Sequence, residues 1–171
     1  MVQYCSGDND TDVVRFLDTL TDRTGAKAYR LASKCDSAGY TLNRMTGQCL
    51  KVVLTTKSYV DAKQYCEDEG GVLAKLESTE RMIGAINITL IYSDKNGYLV
   101  GATDIASEGV WTWQDGTPVE GIDVLFNNYD AKYEPGRPAD CGSLYKSVRI
   151  GDNRCFEKRQ FICERRDLEP L

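Results

Sequence analysis

The stretch from Cys141 to Cys163, CGSLYKSVRIGDNRCFEKRQFIC, constrains this chain more than any other. It holds three cysteines spaced C-x13-C-x7-C, with Leu144, Val148 and Ile150 alternating before the middle one and Phe161-Ile162 before the last. This pattern predicts two short strands stapled at their ends. A bridge from Cys141 to Cys155 would close a short loop, worth about 3 kcal/mol in the chain-entropy model, and leave Cys163 to find a partner far upstream. That partner decides the fold.

Seven cysteines and no histidine among 171 residues is an unusual balance for a cytosolic enzyme, where thiols are kept reduced and histidine is the commonest acid, base or metal ligand. The chain is expected to be secreted and extracellular. With 42% hydrophobic residues it has material for one domain plus a modest extension. No run of 18 apolar residues occurs, so membrane insertion is not expected, and Met1 is taken as a start following a removed signal peptide. The sequons Asn9-Asp10-Thr11 and Asn87-Ile88-Thr89 fit a glycoprotein. A net charge of -5 without any basic run argues against nucleic acid as a partner.

Residues 1–34 read as a helical extension, with Val13, Phe16, Leu17 and Leu20 at helical spacing. Thr24-Gly25 is expected to interrupt it, and Ala26 to Ser33 to resume a short helix. Cys35 and Cys49 flank a segment with turn chemistry at Ser37-Ala38-Gly39 and Thr46-Gly47, which suggests a hairpin closed by its own disulfide and continuing into a strand from Cys49. Ser58 with Asp61 marks a helix start, Tyr59, Ala62 and Cys66 share its inner face, and Gly70-Gly71 ends it. A second helix is expected from Ser78 to about Leu90, with Ile83, Ile86 and Leu90 inward. Asn96-Gly97 then leads into the strand Tyr98-Leu99-Val100. From Thr103 to Cys141 regular periodicity disappears, and a loop of that length in a small domain is read as functional.

Taken together, these residues resemble the C-type lectin-like domain over about Cys35 to Glu164. The carrying features are Cys66, Tyr98-Leu99-Val100-Gly101, Thr103-Asp104 with Glu108-Gly109, and Trp111-Thr112-Trp113-Gln114-Asp115-Gly116. The spacing of Cys141 and Cys155 and the closing Phe161-Ile162-Cys163-Glu164 complete them. The resemblance implies an α+β fold in which two helices flank small antiparallel sheets and a long irregular loop region, stapled by disulfides. It implies the pairs Cys35 with Cys49, Cys66 with Cys163, and Cys141 with Cys155, and leaves Cys5 over. An odd cysteine suggests pairing between chains, as a disulfide-linked homodimer or higher oligomer. Domain limits follow at 1–34, 35–166 and a tail at 167–171.

Sugar-binding members hold calcium with a Glu-Pro-Asn or Gln-Pro-Asp triplet, a glutamate before the third core cysteine and an Asn-Asp pair before the next. Here the corresponding residues are Glu134-Pro135-Gly136, Ala139 before Asp140-Cys141, and Gly151-Asp152 before Asn153. Only Glu134 and Asp152 match, so a cation needing six to eight oxygens is short of donors, even if Asn153 substitutes in part. Arg137 stands near this position, where it would pair with Asp140 or meet an acidic ligand. An auxiliary calcium position implied by the resemblance is matched by Asp104, Glu108 and Asp140. Tyr129 and Tyr133, in the loop segment Phe126 to Tyr133, suit contact with sugars or proteins. Trp111 and Trp113 are expected on a strand, facing opposite ways, with at least one in the core.

No catalytic constellation stands out, since without histidine there is no Ser-His or Cys-His pair, and the cysteines are expected to be tied up in bridges. The expected function is a secreted, non-catalytic module whose long loop binds a glycan or extracellular protein without the usual calcium-dependent sugar site. The competing readings are a calcium-dependent lectin with an atypical site and an acidic extracellular matrix protein. Multivalency through Cys5 and the amino-terminal helix would compensate for a weak, shallow site.

Overall fold

A computed structural model describes residues 23–92, 97–120, 124–125 and 139–168, of which 23–28 and 124–125 are described in backbone only. Helix α1 (Arg23–Ser37) is continuous where a break at Thr24-Gly25 was expected, and it runs four residues past Ser33. It extends across the expected boundary at residue 34 and buries Leu31 and Cys35 against the domain. Burial of this kind supplies what an isolated short helix lacks. Gly39, at φ +75°, turns the chain into β1 (Thr41–Leu42), which pairs with β2 (Cys49–Lys57) as the expected hairpin.

Helix α2 (Tyr59–Asp68) starts at Ser58, whose hydroxyl accepts the Asp61 N–H at 3.3 Å. Its inner face is Tyr59, Ala62 and Cys66, as the sequence indicated. Gly70, at φ +76°, closes it, with the Gly71 N–H returning to the Cys66 carbonyl at 2.8 Å. Helix α3 (Thr79–Thr89) follows β3 (Val72–Leu73) and is capped by Ser78. Here the expected inner face needs correction: Met82, Ala85, Ile86 and Thr89 are buried, Ile83 is half-buried, and Leu90 is 59% exposed. The helix ends at Thr89, so Leu90 falls beyond the last turn that packs.

The strands form one mixed sheet, with path order β1, β2, β9 (Arg159–Glu164), β4 (Tyr98–Thr103), β7 (Cys141–Tyr145), β8 (Arg149–Asn153) and β6 (Val124–Leu125). β3 joins through β9, and β5 (Thr112–Trp113) through β4. Small antiparallel sheets were expected. Instead β4 and β9 meet in parallel at Leu99 and Phe161, as do β6 and β8, and these contacts link the pieces. The segment from Cys141 to Cys163 gives three strands rather than two. Val148, expected on a strand, occupies the β7–β8 turn with φ 58°, while Leu144 and Ile150 pair across it.

The central strands are buried on both faces, and the faces differ in what secures them. On one side Phe161, Leu99, Val53 and Leu73 pack with α1, α2 and five of the six bridged cysteines; Cys155 packs against that cluster. On the other, Ile162, Val100, Leu50, Leu144 and Ile150 meet Met82, Ile86, Trp111 and Trp113. The two tryptophans therefore share a side rather than opposing one another, since residues two apart on extended backbone point the same way. The bridges are Cys35–Cys49, Cys66–Cys163 and Cys141–Cys155, with Cα separations of 5.3, 5.5 and 5.2 Å. All three lie on the first side, so the second is held by packing and hydrogen bonds.

Tyr59 sits in the stapled layer, its N–H donating to the Cys155 carbonyl at 2.9 Å, and burial pushes its hydroxyl up to about 12. A tyrosine whose folded pKa exceeds its unfolded value of about 10 favours the folded chain fully below that pH. The contribution, about 3 kcal/mol, is lost as pH climbs from 10 to 12. Tyr59→Phe should flatten that part of the stability profile, measured by urea midpoints at each pH. An unchanged slope would remove Tyr59 as its source.

Candidate functional site

The long loop leaves the sheet at the end of β4 and returns at the start of β7, and pairing of Thr103 with Cys141 brings the two ends together. At that junction the Thr103 hydroxyl donates to the Asp140 carbonyl at 2.7 Å, and the Asp104 N–H to the same carbonyl at 3.2 Å. The chain next makes a tight turn, in which the Ser107 N–H donates to the Asp104 carbonyl and the Gly109 N–H to Asp104 Oδ2 at 2.8 Å. Gly109 adopts φ +76°, a conformation glycine enters freely. This turn carries Glu108 back over Asp104. As a result, carboxylate oxygens of Asp104, Glu108 and Asp140 all lie within 4.8 Å of one another, the first buried and the second exposed.

Three convergent carboxylates form a hard-oxygen donor set, the kind that suits calcium rather than a thiophilic metal. The residues implied for the auxiliary ion therefore fit it. Farther along, Asp115 anchors the loop beyond Trp113, pairing with Lys75 at 3.0 Å and Arg166 at 3.4 Å. The Thr117 hydroxyl, aided by Lys75, holds the Asp115 carboxyl well below the usual range.

Of the residues expected for the sugar cage, those on β8 and beside Asp140 are described. Asp152 is half-buried on β8, opposite Gly142. Asn153, the expected substitute donor, is buried with both ends of its amide bonded: Nδ2 donates to the Gly151 carbonyl at 3.2 Å, and Oδ1 accepts the Tyr145 hydroxyl at 3.1 Å. Ala139 is buried and Gly151 has no side chain, so neither presents a side-chain oxygen. Among the described residues expected there, Asp152 supplies the one carboxylate. Cys5, Asn9, Tyr129, Tyr133, Glu134 and Arg137 lie outside the described residues, as does the segment 126–138.

Sequence reasoning missed a cleft of about 380 Å³ beside Asp152, lined by Tyr145, Arg149, Gly151, Asn153, Arg154 and Arg159 among others. Tyr145, Arg149, Gly151 and Asn153 share one face of the β7–β8 hairpin because Tyr145 pairs with Arg149 and successive alternate residues point the same way. That alternation, Arg149-x-Gly151-x-Asn153, was visible in the sequence once β8 was given its register.

A model of the C-type lectin domain matches residues 55–165, well over half the chain, and the chain belongs to that family. It is 28% identical over 126 residues to human C-type lectin domain family 17, member A, covering 70% of this chain and 30% of that protein. Over 100 residues it is 39% identical to human C-type lectin domain family 4 member F, covering 58% of this chain and 15% of that one. The chain thus spans less than a third of the length of these two relatives. Among solved structures, the carbohydrate-recognition domain of mouse scavenger receptor C-type lectin is 29% identical with a TM-score of 0.60, over 68% of this chain and 88% of that one. A calcium-independent type II antifreeze protein is 24% identical with a TM-score of 0.57, over 74% and 91% of the two chains, and shows the fold alone. In class, then, the domain is a carbohydrate- or ligand-recognition module.

Proposed function

We propose that the chain is a secreted, non-catalytic recognition module that binds a glycan or extracellular protein through the long loop and β8, without a calcium-caged sugar site. The observation that carries this is the donor deficit at β8: Gly151 and Ala139 offer no side-chain oxygen, and the Asn153 amide is engaged by Tyr145 and Gly151. Calcium is assigned instead to Asp104, Glu108 and Asp140, where it would pin the two ends of the loop rather than touch a ligand. The likeness to named lectins supports glycan among the ligands. A second reading, a calcium-dependent lectin with an atypical site, is favoured among the described residues by Asp152, which lines the cleft.

The trimeric assembly named for the Kupffer cell C-type lectin receptor Clec4f, a fold neighbour, belongs to that protein. For this chain, linkage through Cys5 is proposed, and non-reducing electrophoresis that shows monomer alone would defeat it. An array of glycans and extracellular protein domains, probed with and without chelator, tests the main proposal. Binding that persists in chelator is expected; strong binding to simple neutral sugars that chelator abolishes would overturn it. For the assigned ion, calcium at a hundredfold its Kd should add about 2.7 kcal/mol to stability. Asp104→Asn should remove that gain, read as loss of a calcium-dependent rise in Tm.

A further inference from the structure

Resting on that recognition reading, we infer that the β8 cleft takes an acidic saccharide, gripping a carboxylate or sulfate group directly with guanidinium donors and no bridging metal. Among the described lining residues, three cations, Arg149, Arg154 and Arg159, face two anions, Asp152 and Glu157. The Arg159 guanidinium is already paired with Glu157 at 2.7 Å. Arg149 is exposed and forms no ion pair among the described residues, so its five N–H donors remain available. Among the described lining residues the cations outnumber the anions by one, on a chain whose net charge is -5.

The shape follows from the hairpin. Tyr145 and Arg149 stand opposite each other across β7 and β8, and Gly151 leaves the floor between Arg149 and Asn153 without a side chain. An aromatic ring beside a guanidinium suits a sugar ring carrying an anionic substituent, the ring packing on Tyr145 and the anion meeting the planar fork. The Tyr145 hydroxyl is fixed by Asn153 Oδ1, which holds the aromatic wall in place. A cleft of about 380 Å³ lies within the range of small-ligand sites. At the position where the family resemblance calls for a calcium-ligating asparagine, the chain therefore has open floor and adjacent cations.

The test is direct binding, in chelator, of a heparin-derived tetrasaccharide, sialyllactose and neutral lactose to the wild-type chain, Arg149→Ala and Arg149→Lys. At least one acidic probe should bind the wild type at least tenfold more tightly than lactose, weakening as salt rises. Preference for the tetrasaccharide identifies sulfate as the group held, and preference for sialyllactose identifies carboxylate. Arg149→Ala should lose tenfold or more, with Arg149→Lys recovering part, because an ammonium keeps the charge and loses the fork. Since Arg149 is exposed, unchanged Tm in both variants checks that the fold survives. Equal affinity for acidic and neutral probes, or acidic binding unmoved by Arg149→Ala, overturns the inference. Chelator-resistant binding of neutral glycans or a protein alone would do so too, while leaving the recognition reading intact.

Discussion

Replacing Cys66 and Cys163 together by alanine is expected to lower the unfolding free energy by about 4 to 5 kcal/mol. The bridge spans 97 positions of sequence, and the chain-entropy model assigns about 4.7 kcal/mol to a loop of that size. The other two bridges span only 14 positions each and are worth about 3 kcal/mol apiece on the same basis. Total stabilities of single domains run at about 5 to 15 kcal/mol, so one substitution pair removes a large fraction. Both cysteines are fully buried between α2 and the central strand β9, so repacking offers little compensation. Urea midpoints of the two proteins decide the matter: a loss under about 1 kcal/mol would show that packing alone holds α2 to the sheet.

The second large effect is expected on the unstapled side of the sheet. Gly84 sits in α3 directly against the side-chain amide of Asn43, and a Cβ there would overlap Asn43 Oδ1. Asn43 cannot easily withdraw. Its Oδ1 accepts the Met45 N–H at 3.1 Å, its Nδ2 donates to Gln48 Oε1 at 3.2 Å, and Gln48 Nε2 donates in turn to the Lys75 carbonyl at 3.0 Å. Asn43 and Gln48 are both buried, so a broken link would leave polar groups dry. Although alanine favours helix over glycine by about 1 kcal/mol, Gly84→Ala should destabilise by about 3 kcal/mol. A double-mutant cycle with Asn43→Ala checks the cause. Recovery of most of the loss in the double variant is expected; simple additivity would locate the strain elsewhere.

Much of the fold was legible because its determinants are local or covalent. Ser58 announced a helix start through short-range capping, and Gly39, Gly47 and Gly70 marked turns through backbone conformations other residues resist. The cysteine pairing came from the family resemblance rather than from spacing alone. The misplacements fell where only tertiary context decides. Leu90 satisfies the helical period but lies past the end of α3, and Val148 continues an alternation that the β7–β8 turn cuts. Helix α1 runs through Gly25 because Leu31 and Cys35, farther along, anchor it.

The candidate site divides in the same way. Asp104, Glu108 and Asp140 could be named from the motif order, but their convergence depends on the β4–β7 register, which brings residues 104 and 140 side by side. Asn153 looked like a spare oxygen donor until the hairpin placed Tyr145 within hydrogen-bonding reach. The arginine-lined cleft depends on which face of β8 each residue occupies, and that was unknown before strand pairing was.

Calcium stoichiometry, measured by titration calorimetry on the wild type, Asp104→Asn and Asp152→Ala, tests the central claim most directly. One ion per chain is predicted, lost in Asp104→Asn and retained in Asp152→Ala. An ion that survives Asp104→Asn and disappears with Asp152→Ala would place the metal at β8 and contradict the account.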